Sequence, residues 1–187
     1  MKLKKINATL GLLSIVLILL HVGYSVVTYL TFYYNPVLKL VFAVPFIVVV
    51  CLHAICGMLI VSTMRDGSRA DLYPVQNQRT ILQRASAALI FPLLILHIKT
   101  FSLMQASAEH GHKAYIVLLM LAEILFFAVV ITHGAVSFTN GLITLGLLSD
   151  RELQKKIDKV VYVIGAILFV ISVFAVVRVQ ASMFLMG

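Results

Sequence analysis

The chain has 187 residues, of which 61% are hydrophobic and only 12% charged, and its mean hydropathy is +1.06. Soluble domains carry about a quarter charged residues, so this composition excludes an ordinary soluble domain. The 15 Lys and Arg exceed the 7 Asp and Glu, but the basic residues gather at the ends of apolar segments, as membrane-topology signals do. We therefore predict no nucleic-acid partner.

Five segments are long and apolar enough to cross a bilayer, which takes about 20 residues. In chain order they cover roughly residues 7–33, 38–64, 80–104, 114–139 and 160–184, with 148 as an alternative end of the fourth. Two polar connections, residues 65–78 and 149–159, interrupt them, and the other connections are short. The sequence predicts one all-α integral membrane domain over residues 1–187, whose first four helices form a bundle.

The positive-inside rule predicts the orientation. Eleven basic residues lie on one side of the spans: Lys2, Lys4, Lys5, Arg65, Arg69, Arg79, Arg84, Arg151, Lys155, Lys156 and Lys159. Four lie on the other: Lys39, Lys99, Lys113 and Arg178. The start, Met-Lys-Leu-Lys-Lys, imitates a signal peptide, but no small-residue cleavage site follows, so we assign the next apolar run to the first span. We expect a cytoplasmic N-terminus and an external C-terminus.

One histidine lies in each of the first four spans, at His21, His53, His97 and His133. Ionisable side chains at membrane depth are costly, which makes each a functional-site candidate. From the outer span ends, His21 and His97 lie about 12 to 21 Å deep, and His53 and His133 about 21 to 30 Å. Depth therefore pairs His21 with His97 and His53 with His133. Because neutral imidazole ligates haem iron, we predict two stacked haems and a membrane cytochrome b.

A single membrane histidine is more often a hydrogen-bonded packing residue than a ligand. Four histidines at paired depths favour ligation instead. Small residues near them, Gly23, Gly57, Gly134 and Ala135, would let a macrocycle lie against the helices, although small residues also serve plain helix packing.

The neighbourhoods of these histidines resemble those of a known family. The motifs are His-Ala-x-x-Gly from His53, Leu-Gln-Arg-x-Ser from Leu82 in the span of His97, and His-Gly-Ala from His133. On these residues the chain is similar to the cytochrome b anchor subunit of succinate dehydrogenases and fumarate reductases. The similar form has one five-helix polypeptide and two haems.

The resemblance implies two b haems, paired between helices 1 and 3 and between helices 2 and 4. It also implies a bound quinone, expected to be menaquinone, and a flavoprotein and an iron-sulfur subunit on the cytoplasmic face of a bacterial cell membrane. Electrons would pass between a dicarboxylate at the flavin and the quinone, so this chain alone would not act on succinate. The family also allows the whole complex to dimerise.

The sequence departs from the family's pattern in three places. Ala87 stands where the family often has Gly, and the connection at residues 33–39 lacks the carboxylate that some relatives place near an outer quinone site. Residues 137–141 themselves resemble a ligand neighbourhood, with Ser137 at the histidine position. We favour His133 as the ligand, because a serine hydroxyl is a poor substitute for imidazole.

Three more residues are candidates for supporting roles. We expect Glu123 to relay protons near the outer haem, with a protonated, hydrogen-bonded packing residue as the alternative. Arg84 and Ser86 lie at the cytoplasmic mouth of the third span, where they could hold an inner-haem propionate or quinone. The alternative for Arg84 is a positive-inside anchor.

Two other functions fit the same pattern. One is a different two-haem cytochrome, such as the b561 type or the cytochrome b of a nitrate reductase or hydrogenase, which differs in its ligand-bearing helices and partners. The other is a haem-free membrane scaffold or small transporter with packing histidines. Haem content and the co-purifying subunits distinguish the three.

Overall fold

The computed structural model describes residues 2–63 and 74–186, with side chains from residue 78 onward in the second range. Within these ranges the chain is all helix, without a strand. The five helices are α1 Lys2–Thr31, α2 Pro36–Thr63, α3 Pro74–Glu109, α4 Lys113–Leu145 and α5 Arg151–Phe184. Each contains a stretch long and apolar enough to cross a membrane. The predicted all-α class with five candidate spans is confirmed, as expected of a multi-pass membrane protein.

Two helices begin inside the predicted polar connections. α5 starts at Arg151 because Asp150 caps it: the Asp150 carboxylate accepts a hydrogen bond from the Leu153 N–H at 2.7 Å. α3 starts at Pro74, where the missing proline N–H costs nothing because first-turn N–H groups lack helical partners. Most of the predicted 149–159 connection is therefore helical. Most of the 65–78 connection, including Arg65 and Arg69, lies outside the described residues.

Tight turns join α1 to α2 and α3 to α4. Asn35 caps α2 by accepting hydrogen bonds from the N–H groups of Val37 and Leu38 at 2.9 and 3.2 Å. The Tyr24 hydroxyl donates to the Asn35 carbonyl at 2.7 Å, which ties the turn back to α1. The second turn passes through Gly111 at φ 71°, a conformation that glycine adopts without strain. Each helix pair is consequently an antiparallel hairpin.

α4 is the central helix of the bundle. It packs against α1, α3 and α5, whereas α2 packs chiefly on α1. A core of Met104, Ile116, Leu119 and Met120 joins α3 to α4. α2 has no fully buried residue along its described length of 36–63, and its apolar side chains are exposed as lipid-facing residues are. The ring of His53 on α2 nevertheless approaches that of His133 on α4, with centroids 6.3 Å apart.

Candidate functional site

The four candidate histidines lie at two levels of the bundle. His21 is ten residues from the carboxyl end of α1, and His97 is twelve from that of α3. His53 is ten residues from the carboxyl end of α2, and His133 is twelve from that of α4. Since α1 and α3 run opposite to α2 and α4, each pair lies about 15 to 18 Å from its own end of the bundle. The levels therefore pair His21 with His97 and His53 with His133, as depth along the sequence does.

The structure brings His53 and His133 together. Their ring centroids are 6.3 Å apart, with ring planes inclined at 63°. Nδ1 of His53 lies 3.1 Å from the Asn7 carbonyl oxygen, and Nδ1 of His133 lies 3.1 Å from that of Gln83. A carbonyl only accepts, so in both rings Nδ1–H is the donor and the neutral ring keeps its lone pair on Nε2. Both rings are thus held in the tautomer that can ligate a metal through Nε2.

Two neighbours hold this pair in place. Ser86 is buried; its hydroxyl donates to the Leu82 carbonyl at 2.7 Å and lies 3.1 Å from Nδ1 of His133. A Cβ added to Gly11 would lie 3.0 Å from Cε1 of His53, so only glycine lets α1 pass this close to the ring. Arg84 is exposed. The predicted role of Arg84 and Ser86 in holding a haem propionate or a quinone stays a prediction. The structure puts the Ser86 hydroxyl next to His133.

His97 is held from two sides by α4. Its Nδ1 lies 2.9 Å from Oε2 and 3.1 Å from Oε1 of Glu123. Phe126 stacks on the same ring, with centroids 4.7 Å apart and planes at 25°. Glu123 is only 4% exposed, so its carboxyl group needs a buried partner, and the imidazole provides it. The predicted proton-relay residue is therefore in direct contact with a candidate ligand.

His21 differs from the other three. Its ring stacks on Phe46 of α2, with centroids 5.7 Å apart and planes at 16°. None of the described residues is a hydrogen-bond partner of its buried Nδ1, which is uncommon for a buried polar atom. The stacking contact fixes the plane of this ring, while neither nitrogen is occupied by another described residue.

The chemistry of three of these histidines is compatible with haem ligation. Metal-binding histidines almost always donate their other ring N–H to a carbonyl or carboxylate, as His53, His133 and His97 are placed to do. The ring centroids of His53 and His133 are 6.3 Å apart, so these two side chains from separate helices border one site.

Open space adjoins two of the small residues near the histidines. A Cβ added to Gly23 or Gly134 would meet no atom within 4 Å. Gly57 has one neighbour at 3.9 Å, the Asn7 side-chain oxygen, and Ala135 is buried. The space beside Gly23 and Gly134 is compatible with the predicted close approach of a macrocycle.

A polar network that the sequence did not predict joins α3, α4 and α5. Arg79 donates to both carboxylate oxygens of Asp158, at 2.7 and 3.2 Å, and to Thr139 at 2.7 Å. Thr139 in turn donates to Asp158 at 2.8 Å. From the sequence, Asp158 was predicted to lie in a polar connection. Arg79 was used only as one of the basic residues that indicate the orientation in the membrane. The available signal was Thr139, one of several polar residues in the predicted fourth span.

Comparisons of the chain with protein-family models, with curated proteins and with solved structures find no match. Function must therefore be inferred from the site residues themselves. The strongest feature is a pair of histidines on separate helices, each with Nδ1 anchored to a backbone carbonyl.

Proposed function

We propose that this chain is the di-haem cytochrome b anchor of a succinate dehydrogenase or fumarate reductase complex. His53 and His133 would be the axial ligands of one haem, and His21 and His97 those of the other. Haem iron supplies one-electron transfer, and histidine is a common protein ligand of haem iron. The observation that carries the proposal is the 6.3 Å approach of His53 to His133 with both Nδ1 atoms anchored.

The anchoring contacts prepare the histidines to bind iron. Asn7 and Gln83 accept hydrogen bonds through backbone carbonyls, which no side-chain rotation can withdraw. Such a contact fixes both the tautomer and the orientation of the ring. His53 and His133 consequently lose little freedom when a metal binds, which favours binding.

The two levels of histidines support an electron path through the membrane. Counted from the end of the bundle that holds the 110–112 turn, His21 and His97 lie ten and twelve residues in, and His53 and His133 seventeen and twenty. The levels are therefore separated by about 11 to 12 Å along the helices. Two cofactors at these levels would carry electrons along the membrane normal.

The exposed basic residues support the orientation. Lys2, Lys4, Lys5, Lys156 and Lys159 are exposed at one end of the bundle, which the positive-inside rule assigns to the cytoplasm. The flavoprotein and iron-sulfur subunits would dock on this face of a bacterial cell membrane. The exchanging quinone would be menaquinone, and Glu123 would relay its protons.

The test is a reduced-minus-oxidised spectrum of the detergent-purified complex, with haem quantified per chain and flavin assayed in the same sample. We expect two b haems per chain and bound flavin. His53→Ala and His133→Ala should each remove one and the same haem, and His21→Ala and His97→Ala the other. His110→Ala is the matched control, because this exposed loop histidine should leave both haems.

Each other outcome contradicts a defined part of the proposal. Folded protein without haem would overturn the cytochrome and leave a scaffold or transporter. Two haems with neither a flavoprotein nor an iron-sulfur protein co-purifying would indicate a different two-haem cytochrome. Loss of haems in other combinations of variants would overturn the ligand pairs.

A further inference from the structure

We propose that Glu123 positions His97 and tunes the haem that His97 would ligate. This inference rests on the proposed function, because it needs a haem at His97. Glu123 itself would not touch the iron. It would act through the imidazole, by keeping Nδ1 as the donor and leaving Nε2 for the metal.

The contact is specific to this pair. Both Glu123 oxygens lie within 3.1 Å of Nδ1 of His97. The carboxyl group is almost fully buried, and among the described side chains His97 is its only hydrogen-bond partner. A carboxylate is a stronger acceptor than a carbonyl, because the hydrogen bond is charge-assisted. Through this contact Glu123 acts on one of the four candidate ligands.

α4 fixes the His97 ring by two residues on one helix face. Glu123 and Phe126 are three residues apart, a spacing that puts both side chains on the same side of a helix. Glu123 holds the edge of the ring through Nδ1, and Phe126 covers its face. Rotation of the imidazole would break one contact or the other. The direction of Nε2 is therefore set by α4.

The four histidines differ in what anchors them. His53 and His133 donate to backbone carbonyls, and Nδ1 of His21 has no partner. Within the part of the chain that the structure describes, His97 alone is anchored by an acidic side chain. A carboxylate raises the basicity of the imidazole and stabilises ferric over ferrous iron. Loss of the carboxylate should therefore raise the reduction potential of one haem and leave that of the other unchanged.

Glu123→Gln tests this with little change in shape, because the amide oxygen can still accept from Nδ1. In the purified complex, a spectroelectrochemical titration should show that one haem prefers the ferric state about tenfold less than in the wild type. For a one-electron couple this is a rise in reduction potential of about 59 mV. The second haem should keep its potential. Glu123→Ala, which removes the acceptor altogether, should also lower the occupancy of the affected haem.

Glu109→Gln is the matched control. Glu109 ends α3 at the same end of the bundle and is exposed, so the same substitution there should move neither potential. The shifted haem must also be the one that His97→Ala removes. A shift of the other haem, or equal shifts of both, overturns the inference.

Two further results separate this inference from the proposed function. A wild-type complex without haem overturns both, whereas two haems with unmoved potentials in Glu123→Gln overturn this inference alone. If the Gln variant does not assemble, Glu123→Asp replaces it. Asp keeps the charge but withdraws it from Nδ1 by one methylene, so an unchanged potential in that variant also overturns the inference.

Discussion

Arg79 on α3 and Asp158 on α5 form a two-point ion pair at the end of the bundle where both helices begin. Thr139 of α4 completes it by accepting from Arg79 and donating to Asp158. Only 18% of the Arg79 side chain and 14% of the Asp158 side chain is exposed. The pair therefore joins three helices, at a point about 9 Å along α4 from His133.

Asp158→Ala should destabilise the protein, because it leaves the Arg79 guanidinium largely buried without its counter-charge. We expect the free energy of unfolding to fall by about 2 to 4 kcal/mol, somewhat less than the loss for a fully buried pair. Thermal unfolding of the purified protein in detergent measures the change. Glu152→Ala is the control on the same helix: its ion pair with Lys155 is well exposed and should contribute no more than about 0.5 kcal/mol. Equal losses in the two variants would contradict the prediction.

The sequence predicted the helices well because membrane spanning is a one-dimensional property. A stretch of about 20 apolar residues must be helical in lipid, so the five spans and the levels of the histidines follow from counting along the chain. The start of α5 did not follow, because it depends on the Asp150 cap. Hydropathy alone predicts a polar connection at residues 149–159, although α5 begins at Arg151.

The contacts between helices could not be read in the same way. The approach of Gly11 to His53, the Glu123–His97 contact and the Arg79–Asp158 pair depend on how helices rotate and pack. Depth brings Glu123 to the region of His97, but only the packing of α3 against α4 puts the carboxyl group on Nδ1. The sequence thus predicted the candidate residues and not their contacts.

Gly11→Ala should disturb the haem held by His53 and His133. The new Cβ would lie 3.0 Å from Cε1 of His53, which must move the ring and strain its hydrogen bond to the Asn7 carbonyl. We expect about a tenfold weaker retention of that haem, the lower end of what is typical when support of a ligand is lost. Haem per chain, measured after mild detergent challenge, tests this.

Gly141→Ala is the matched control for Gly11→Ala. The added Cβ also crowds α1, but its three nearest atoms are Cγ, Cδ2 and Cδ1 of Leu12, at 3.3, 3.3 and 3.7 Å, and not atoms of a histidine. Both haems should remain. Haem loss in both variants would mean that the α1 backbone, and not His53, is the sensitive element.

Ser137→Ala distinguishes the two candidate registers of the fourth helix. The buried Ser137 hydroxyl has no hydrogen-bond partner among the residues described by the structure, so its removal should leave stability unchanged or slightly increased. His133 has its anchors at Gln83 and Ser86, and His133→Ala should cost one haem. The haem spectrum of each variant tests which residue is the ligand. Loss of a haem in Ser137→Ala, with both haems retained in His133→Ala, would contradict the assignment of His133.

Cysteine labelling should test the orientation on which subunit docking depends. Cys51 and Cys56 lie within α2 and would first be replaced by Ala. His110→Cys and Ser149→Cys then place single thiols at exposed positions near opposite ends of the bundle. Because the basic residues cluster at the Ser149 end, a membrane-impermeant maleimide should label intact cells at position 110 only, and position 149 only after permeabilisation. The reverse pattern would put the basic face outside the cell, where the proposed flavoprotein and iron-sulfur partners could not dock.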